Sequence, residues 1–244
     1  MSEVKLKNAP LKEVIFELHW SGNADNPGVD DGFDLAQGKF AEKLKSKFPL
    51  HRKLIPDGTP FKIYGAPIHQ YWKAEFQWPV VQHGQGIMAV NEVESGYEWE
   101  RTYKPNVLDA INKLIASYED SIKFNKAKLQ YIDIWEVEIE HVKEFIEENL
   151  RTTIQSNYPL PGSFKTLNLF QVYDLKDGSQ MQLSITNGIN NQTQKSSVIW
   201  TTTIEKRYNF NQEEIVHWLE KAHTAASDIF KKMLNPDFYA RLDE

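Results

Sequence analysis

Apolar residues recur along the chain at two periods, and the change from one to the other marks its elements. After Tyr103 they fall at Val107, Leu108, Ile111, Leu114, Ile115, Tyr118 and Ile122, with Asp109, Lys113, Glu119, Asp120 and Lys123 mostly between them. Steps of three and four predict one stripe on an amphipathic helix. Pro105 suits its first turn, where a missing N–H costs nothing, and Asn125 is placed to cap its end. The period then drops to two. Leu129, Tyr131, Trp135, Val137 and Ile139 alternate with Gln130, Glu136 and Glu138, while Ile132 and Ile134 add apolar residues to the second face. This predicts a strand in the middle of a sheet, covered on both sides at its centre.

The rest of the chain follows the same two periods. Val14, Phe16 and Leu18 alternate with Glu13, Glu17 and His19 as a first strand, and a loop rich in Gly, Asn and Asp runs from Ser21 to Asp34. Phe33, Leu35, Phe40, Leu44 and Phe48 predict a helix with Lys on its outer face; Pro49 and Pro56 frame a connector. Phe61 to Trp78 reads as one or two strands broken at Gly65-Ala66-Pro67. Another strand, Ile87 to Asn91, follows a turn at Gly84 and Gly86. In the second half, a helix spans His141 to Ile154 and is ended by Pro159, Pro161 and Gly162. Leu167 to Tyr173 begins a strand, Lys176-Asp177-Gly178 is a hairpin turn, and Met181, Leu183 and Ile185 return. A polar tip from Asn187 to Gln194 leads to a strand through Val198, Trp200, Thr202 and Ile204. Asn211 caps a last helix whose stripe is Ile215, Trp218, Leu219, Ala222, Ala226, Ile229, Phe230 and Met233, stopped at Asn235-Pro236.

The order is strand, helix, strands, long helix, twice over. It predicts an α+β protein of pseudo-duplicated antiparallel sheets, each packed on a long amphipathic helix. The halves would divide at 1–126 and 127–244 within one compact unit. The alternative is one large mixed sheet without internal symmetry.

Composition narrows the chemistry. The 244 residues are 41% hydrophobic, enough for a large core. A formal net charge of −6 argues against nucleic acid as the main partner, because phosphate binding needs clustered Lys and Arg. The absence of cysteine removes disulfides, thiolate metal sites and cysteine nucleophiles. The opening Met-Ser-Glu-Val-Lys-Leu-Lys has no apolar signal region, and no apolar run is long enough to span a bilayer. The expectation is a soluble, cytoplasmic protein.

The segment Asn8-Ala9-Pro10-Leu11-Lys12-Glu13-Val14-Ile15-Phe16-Glu17-Leu18 resembles the opening of a family of uncharacterised bacterial proteins of similar length, patchily distributed among genomes. The resemblance continues at Val90-Asn91, at Gly96-Tyr97-Glu98-Trp99, at Leu129-Gln130-Tyr131-Ile132-Asp133 and at Leu219-Glu220-Lys221-Ala222-His223 with Phe230. Gln130 and Asp133 stand where the family more usually has Arg and Asn. The resemblance implies an intracellular bacterial accessory protein, in the setting of a mobile defence or toxin-associated gene, and brings no established activity.

Candidate chemistry is sparse. Tyr71, Trp72, Phe76, Trp78, Tyr97, Trp99 and Tyr103 are concentrated in one part of the chain, with His69 and Arg101 among them. Aromatic faces beside a cation hold flat ligands or a partner's side chains; the plain reading is core packing. Asp133 shares a strand face with Tyr131 and Trp135. It reads either as a general base or pocket anchor, or as a carboxylate paired with a hydroxyl, an N–H or an Arg. Glu213, His217 and Glu220 share one helix face at metal-ligand spacing without an obvious further ligand, and His223 reads as a buried, hydrogen-bonded histidine. Asp25, Asp30, Asp31 and Asp34 resemble a calcium loop in composition alone. Gly84-Gln85-Gly86 lacks the third glycine of a dinucleotide site, and no phosphate loop or nucleophile elbow is present. Lys39, Lys43, Lys45, Lys47, Arg52 and Lys53 form a local basic patch interrupted by Glu42.

No catalytic residue, metal site or cofactor is assigned. The candidate binding residues are His69, Trp72, Trp78, Tyr97, Trp99, Arg101 and Asp133. The surplus of aromatics points to a non-enzymatic interaction protein that binds a protein partner or its own copy through an exposed aromatic surface or a sheet edge. The alternative is a ligand-binding or hydrolytic pocket between sheet and long helix, lined by Trp72, Trp99 and Arg101 with Asp133 as anchor. A third reading, single-stranded nucleic acid on an aromatic sheet face, predicts binding that falls steeply with salt.

Overall fold

The computed structural model of the chain describes residues 6–22, 28–56, 63–119, 122–155, 162, 165–189 and 195–244. In chain order its elements are β1 (Leu11–Trp20), α1 (Phe33–Leu44), β2 (Leu50–Lys53), β3 (His69–Trp72), β4 (Val80–Gly84), β5 (Ile87–Val93) and α2 (Lys104–Ser117). They continue with β6 (Phe124–Glu136), α3 (Val142–Asn149), β7 (Asn168–Asp174), β8 (Gln180–Ile189), β9 (Ser196–Phe210), α4 (Gln212–Met233) and α5 (Pro236–Arg241). The fold is α+β. The strands expected as two sheets form one, in the order β2-β3-β4-β5-β1-β6-β9-β8-β7, and the neighbouring strands whose registers are resolved pair antiparallel.

The chain divides into two compact units. One comprises Glu13–Gln130 and Glu205–Glu220; the other comprises Met1–Lys12, Tyr131–Ile204 and Lys221–Glu244. They are named here for Phe16 and Trp200.

In the Phe16 unit, strand alternation sends Val14, Phe16, Leu18 and Trp20 of β1 and Met88 and Val90 of β5 to one face, where all are buried. Phe33, Ala36, Phe40 and Leu44 of α1 and Val107, Ala110, Ile111 and Leu114 of α2 are buried with them. Tyr103, Val107, Ile111, Leu114 and Tyr118 of the predicted stripe are buried, Leu108 and Ile115 are half-buried, Ile122 lies beyond the helix, and the Tyr103 hydroxyl donates to the Val90 carbonyl at 2.9 Å. Helix α2 starts with Pro105 in its first turn, as its spacing requires. Its end differs from expectation. It stops at Ser117, Glu119 takes a left-handed φ of 52°, and Asn125 lies inside β6, donating to the Ser21 hydroxyl. The connector framed by Pro49 and Pro56 contains strand β2.

In the Trp200 unit the core is Val142, Ile146, Leu150, Leu167, Ile185, Val198, Trp200, Leu234 and Leu242, with Trp135, Phe145, Phe230 and Phe238 packed on it. Trp200 stacks against Phe230 at 5.7 Å and Trp135 at 6.3 Å. Helix α3 ends at Asn149, short of the expected Ile154, and is preceded by a 3-10 turn at Ile139–His141. The β7–β8 hairpin turns through Gly178 at a φ of 81°, with Asp177 capping Ser179. Helix α5 was not anticipated. Asn235 ends α4 and caps α5 by accepting from the Asp237 N–H. At the other end of α4 the expected cap is present as a reciprocal pair: Asn211 accepts from the Glu214 N–H, and Glu214 accepts from the Asn211 N–H. Pro159, Pro161, Phe61, Asp25 and the far part of the tip at 187–194 fall outside the described residues.

The pair of glycines at 84 and 86 has a steric explanation. A Cβ at Gly84 would lie 2.0 Å from the Ala66 carbonyl oxygen, where the chain around Tyr64 bridges to Gln85. Backbone cannot yield there as a flexible side chain would. Gly84→Ala is therefore expected to lower unfolding free energy by about 2 kcal/mol or more, read from chemical denaturation with an unchanged m-value.

Candidate functional site

The sequence-nominated residues do not assemble into one site. Trp72 lies on the sheet face opposite the helices, edge-on to Trp78 at 5.1 Å, and its indole N–H donates to Gln70 at 3.2 Å. That donation opens a polar ladder across four strands. Gln70 donates to Gln82, Gln82 to Asn91, and Asn91 to Glu13, at 3.0, 3.0 and 2.7 Å. Each link joins residues that antiparallel registers place on one face. Further along β1, burial opposes charge on Glu17, yet hydrogen bonds from His19 and Lys128 hold its carboxyl at about 2.

Tyr97 and Trp99 belong to the turn that launches α2. Trp99–Tyr103 is a π-helical turn in which Thr102 accepts from the Glu98 N–H and donates to the Gly96 carbonyl. Tyr97 and Trp99 pack on buried Tyr103 at 5.6 and 6.0 Å. The Trp99 indole N–H donates to Glu220, which also pairs with Lys104. Arg101, in contrast, is 84% exposed and beside Glu98. These aromatics are core and cap. Gln212, Glu213, Val216, His217 and Glu220 line an open depression, and no metal-ligating cluster of three or more groups is found among the described residues. The basic patch is largely neutralised: Lys39 pairs with Glu119, Lys45 with Glu42, Lys47 with Asp109 and Arg52 with Glu75.

His69 belongs to a histidine row on the helix-covered face. Its Nδ1 lies 2.8 Å from Nε2 of His51, and its register partner on β4 is His83. Burial, aided by His51 and Lys53, pushes His69 down to about 4; burial, aided by His69, pushes His83 down to about 3. His83 is fully buried between Phe33 and Phe40, each 5.0 Å away, and neither ring nitrogen has a hydrogen-bond partner among the described residues. Asp30 is structural: it accepts from Trp20 at 2.8 Å and Tyr118 at 2.6 Å.

Asp133 stands in the Trp200 unit, between Tyr131 and Trp135 on one face of β6. The Tyr131 hydroxyl and His223 Nδ1 are 2.7 Å apart, which makes His223 the buried, bonded histidine expected. Asp133 itself is buried. Desolvation alone raises its carboxyl from 3.8 to about 7.

The candidate binding residues include none from the outermost strand. Strand β7 ends the sheet with Phe170 60% exposed, Val172 48% and Tyr173 43%. Its register with β8 is continuous from Asn168–Thr186 to Asp174–Gln180. At its ends Asn187 donates to the Leu167 carbonyl and Leu175 to the Ser179 carbonyl, so odd-numbered residues face β8 and Asn168, Phe170, Val172 and Asp174 direct N–H and C=O outward. The signal was present in Leu-Phe-Gln-Val-Tyr, apolar on both faces. Neither protein-family models nor curated protein sequences give a match to this chain.

The two buried titrations carry opposite signs. A histidine with a lowered pKa contributes stability that is complete above its unfolded value of 6.5 and lost as pH falls toward its folded value. His83→Leu is therefore expected to raise the melting temperature at pH 5 and to remove about 1.4 kcal/mol per pH unit of acid sensitivity below pH 6.5. A carboxyl with a raised pKa imposes a penalty absent below 3.8 that grows until about 7. Asp133→Asn is expected to gain stability over wild type between pH 4 and 7, with the difference closing below pH 4, in denaturation series across that range.

Proposed function

We infer that the chain is a non-enzymatic accessory protein of the cytoplasm that binds a protein partner by extending its sheet at β7. The carrying observation is the exposed strand itself: seven residues, outward backbone groups, and apolar side chains on both faces. Strand addition gives affinity through main-chain hydrogen bonds and selectivity through alternate side chains. The other end of the sheet is built differently. Strand β2 has four residues, carries Arg52 and Lys53, and lies between Pro49 and Pro56, all of which discourage pairing. No helix among the described residues is long and apolar enough to cross a membrane.

A pseudo-duplicated origin fits this reading. In each half of the chain the first strand lies beside the last, β1 beside β5 and β6 beside β9, and a long helix follows the last strand. A second reading, a ligand-binding or hydrolytic pocket between sheet and long helix, draws its support from Asp133, a buried carboxyl on the same strand face as Tyr131.

Val172→Pro tests the edge. Its N–H points away from β8, so proline removes an outward donor and leaves the β7–β8 ladder intact. Affinity capture from cells that also express an untagged copy is expected to recover a near-stoichiometric protein with wild type and to lose it with V172P. Equal recovery by both, or none by either, overturns the reading.

A further inference from the structure

We propose that the partner seated on β7 is a second copy of this chain, its own β7 antiparallel about a two-fold axis through Gln171. This rests on the edge reading above and adds the identity of the occupant. The strand reads Asn168-Leu-Phe-Gln-Val-Tyr-Asp174. Antiparallel pairing centred on Gln171 sets Phe170 against the second copy's Val172 on one face and Leu169 against its Tyr173 on the other. Asn168 meets Asp174, and Gln171 meets itself. Every apolar side chain thus opposes an apolar one, and no like charges are opposed.

The backbone independently permits the same arrangement. The outward residues are 168, 170, 172 and 174. A two-fold at 171 pairs 170 with 172 and 168 with 174, so outward groups meet outward groups throughout. A centre displaced by half a residue would set outward residues against inward ones and make no ladder. Side-chain pairing therefore picks one register among those that hydrogen-bond parity permits, and that register is isologous.

The lack of cysteine makes this register measurable. Gln171→Cys supplies the chain's sole thiol, and the two-fold places it in a non-hydrogen-bonded pair, with Cα atoms about 4.5 Å apart, within disulfide reach. Tyr173→Cys is the control, because its counterpart is offset by four residues, about 13 Å of strand. The expected result has three parts. Wild type shows a concentration-dependent dimer by sedimentation between about 1 and 100 µM, the range for a small strand-pairing interface. Q171C cross-links on oxidation while Y173C does not. V172P is monomeric with an unchanged circular dichroism spectrum. If V172P does not fold, Phe170→Lys tests the same edge with every backbone donor retained. A wild-type monomer across the range overturns self-pairing; the edge reading survives that result where V172P still loses a different captured protein, and falls with it where V172P loses nothing. A dimer that persists in the folded edge variant without Q171C cross-linking also overturns the proposal.

Discussion

Removal of water from one face of the sheet is the constraint on which the other features depend. Alternation along β1 and β5 commits Phe16, Leu18, Met88 and Val90 to that face, and α1 and α2 close over it. In the Trp200 unit, Trp200 and Val198 are buried in the same way. Burial that favours these side chains is hostile to any charge among them. His83 is held neutral, and Asp133 is held protonated well above the ordinary carboxyl range. Between pH 4 and 6.5 the histidine row and the lone carboxyl drive stability in opposing directions.

The opposite face solves its polarity by lateral pairing. From Trp72 to Glu13, each side chain on the ladder donates to the next strand or accepts from it. Satisfied amides of this kind specify register, because a one-residue slip would turn the whole row toward the apolar core. Such specification is missing at β7, whose outward half has no partner strand among the described residues. The contrast with short, basic β2 shows that exposure at β7 is not a general property of this sheet's ends.

Much of this was legible in periodicity. The centres of the stripes through Ile111 and Leu219 are buried, the Asn211 cap forms, and Lys176-Asp177-Gly178 turns the hairpin. Other features depended on long-range context. Pro49 and Pro56 signal breaks, but the four residues of β2 become a strand because β3 offers them a ladder. Asn125 has the right chemistry for a helix end, yet strand pairing takes it first. The aromatic cluster was visible as composition. Its dispersal was not, because Trp72, Trp99 and His69 reach different surroundings through turns and registers that no local pattern reports. Asp133 was singled out by its strand face; its depth of burial depended on the neighbouring elements.

The two compact units are not two consecutive lengths of chain. Strands β1, β6 and β9 and helix α4 each contribute residues to both, so the polypeptide passes between the units within regular elements. No single stop codon and no single proteolytic nick can release either unit whole. Fragment expression, the customary way to divide a protein of this size, will yield broken sheets wherever the boundary is drawn.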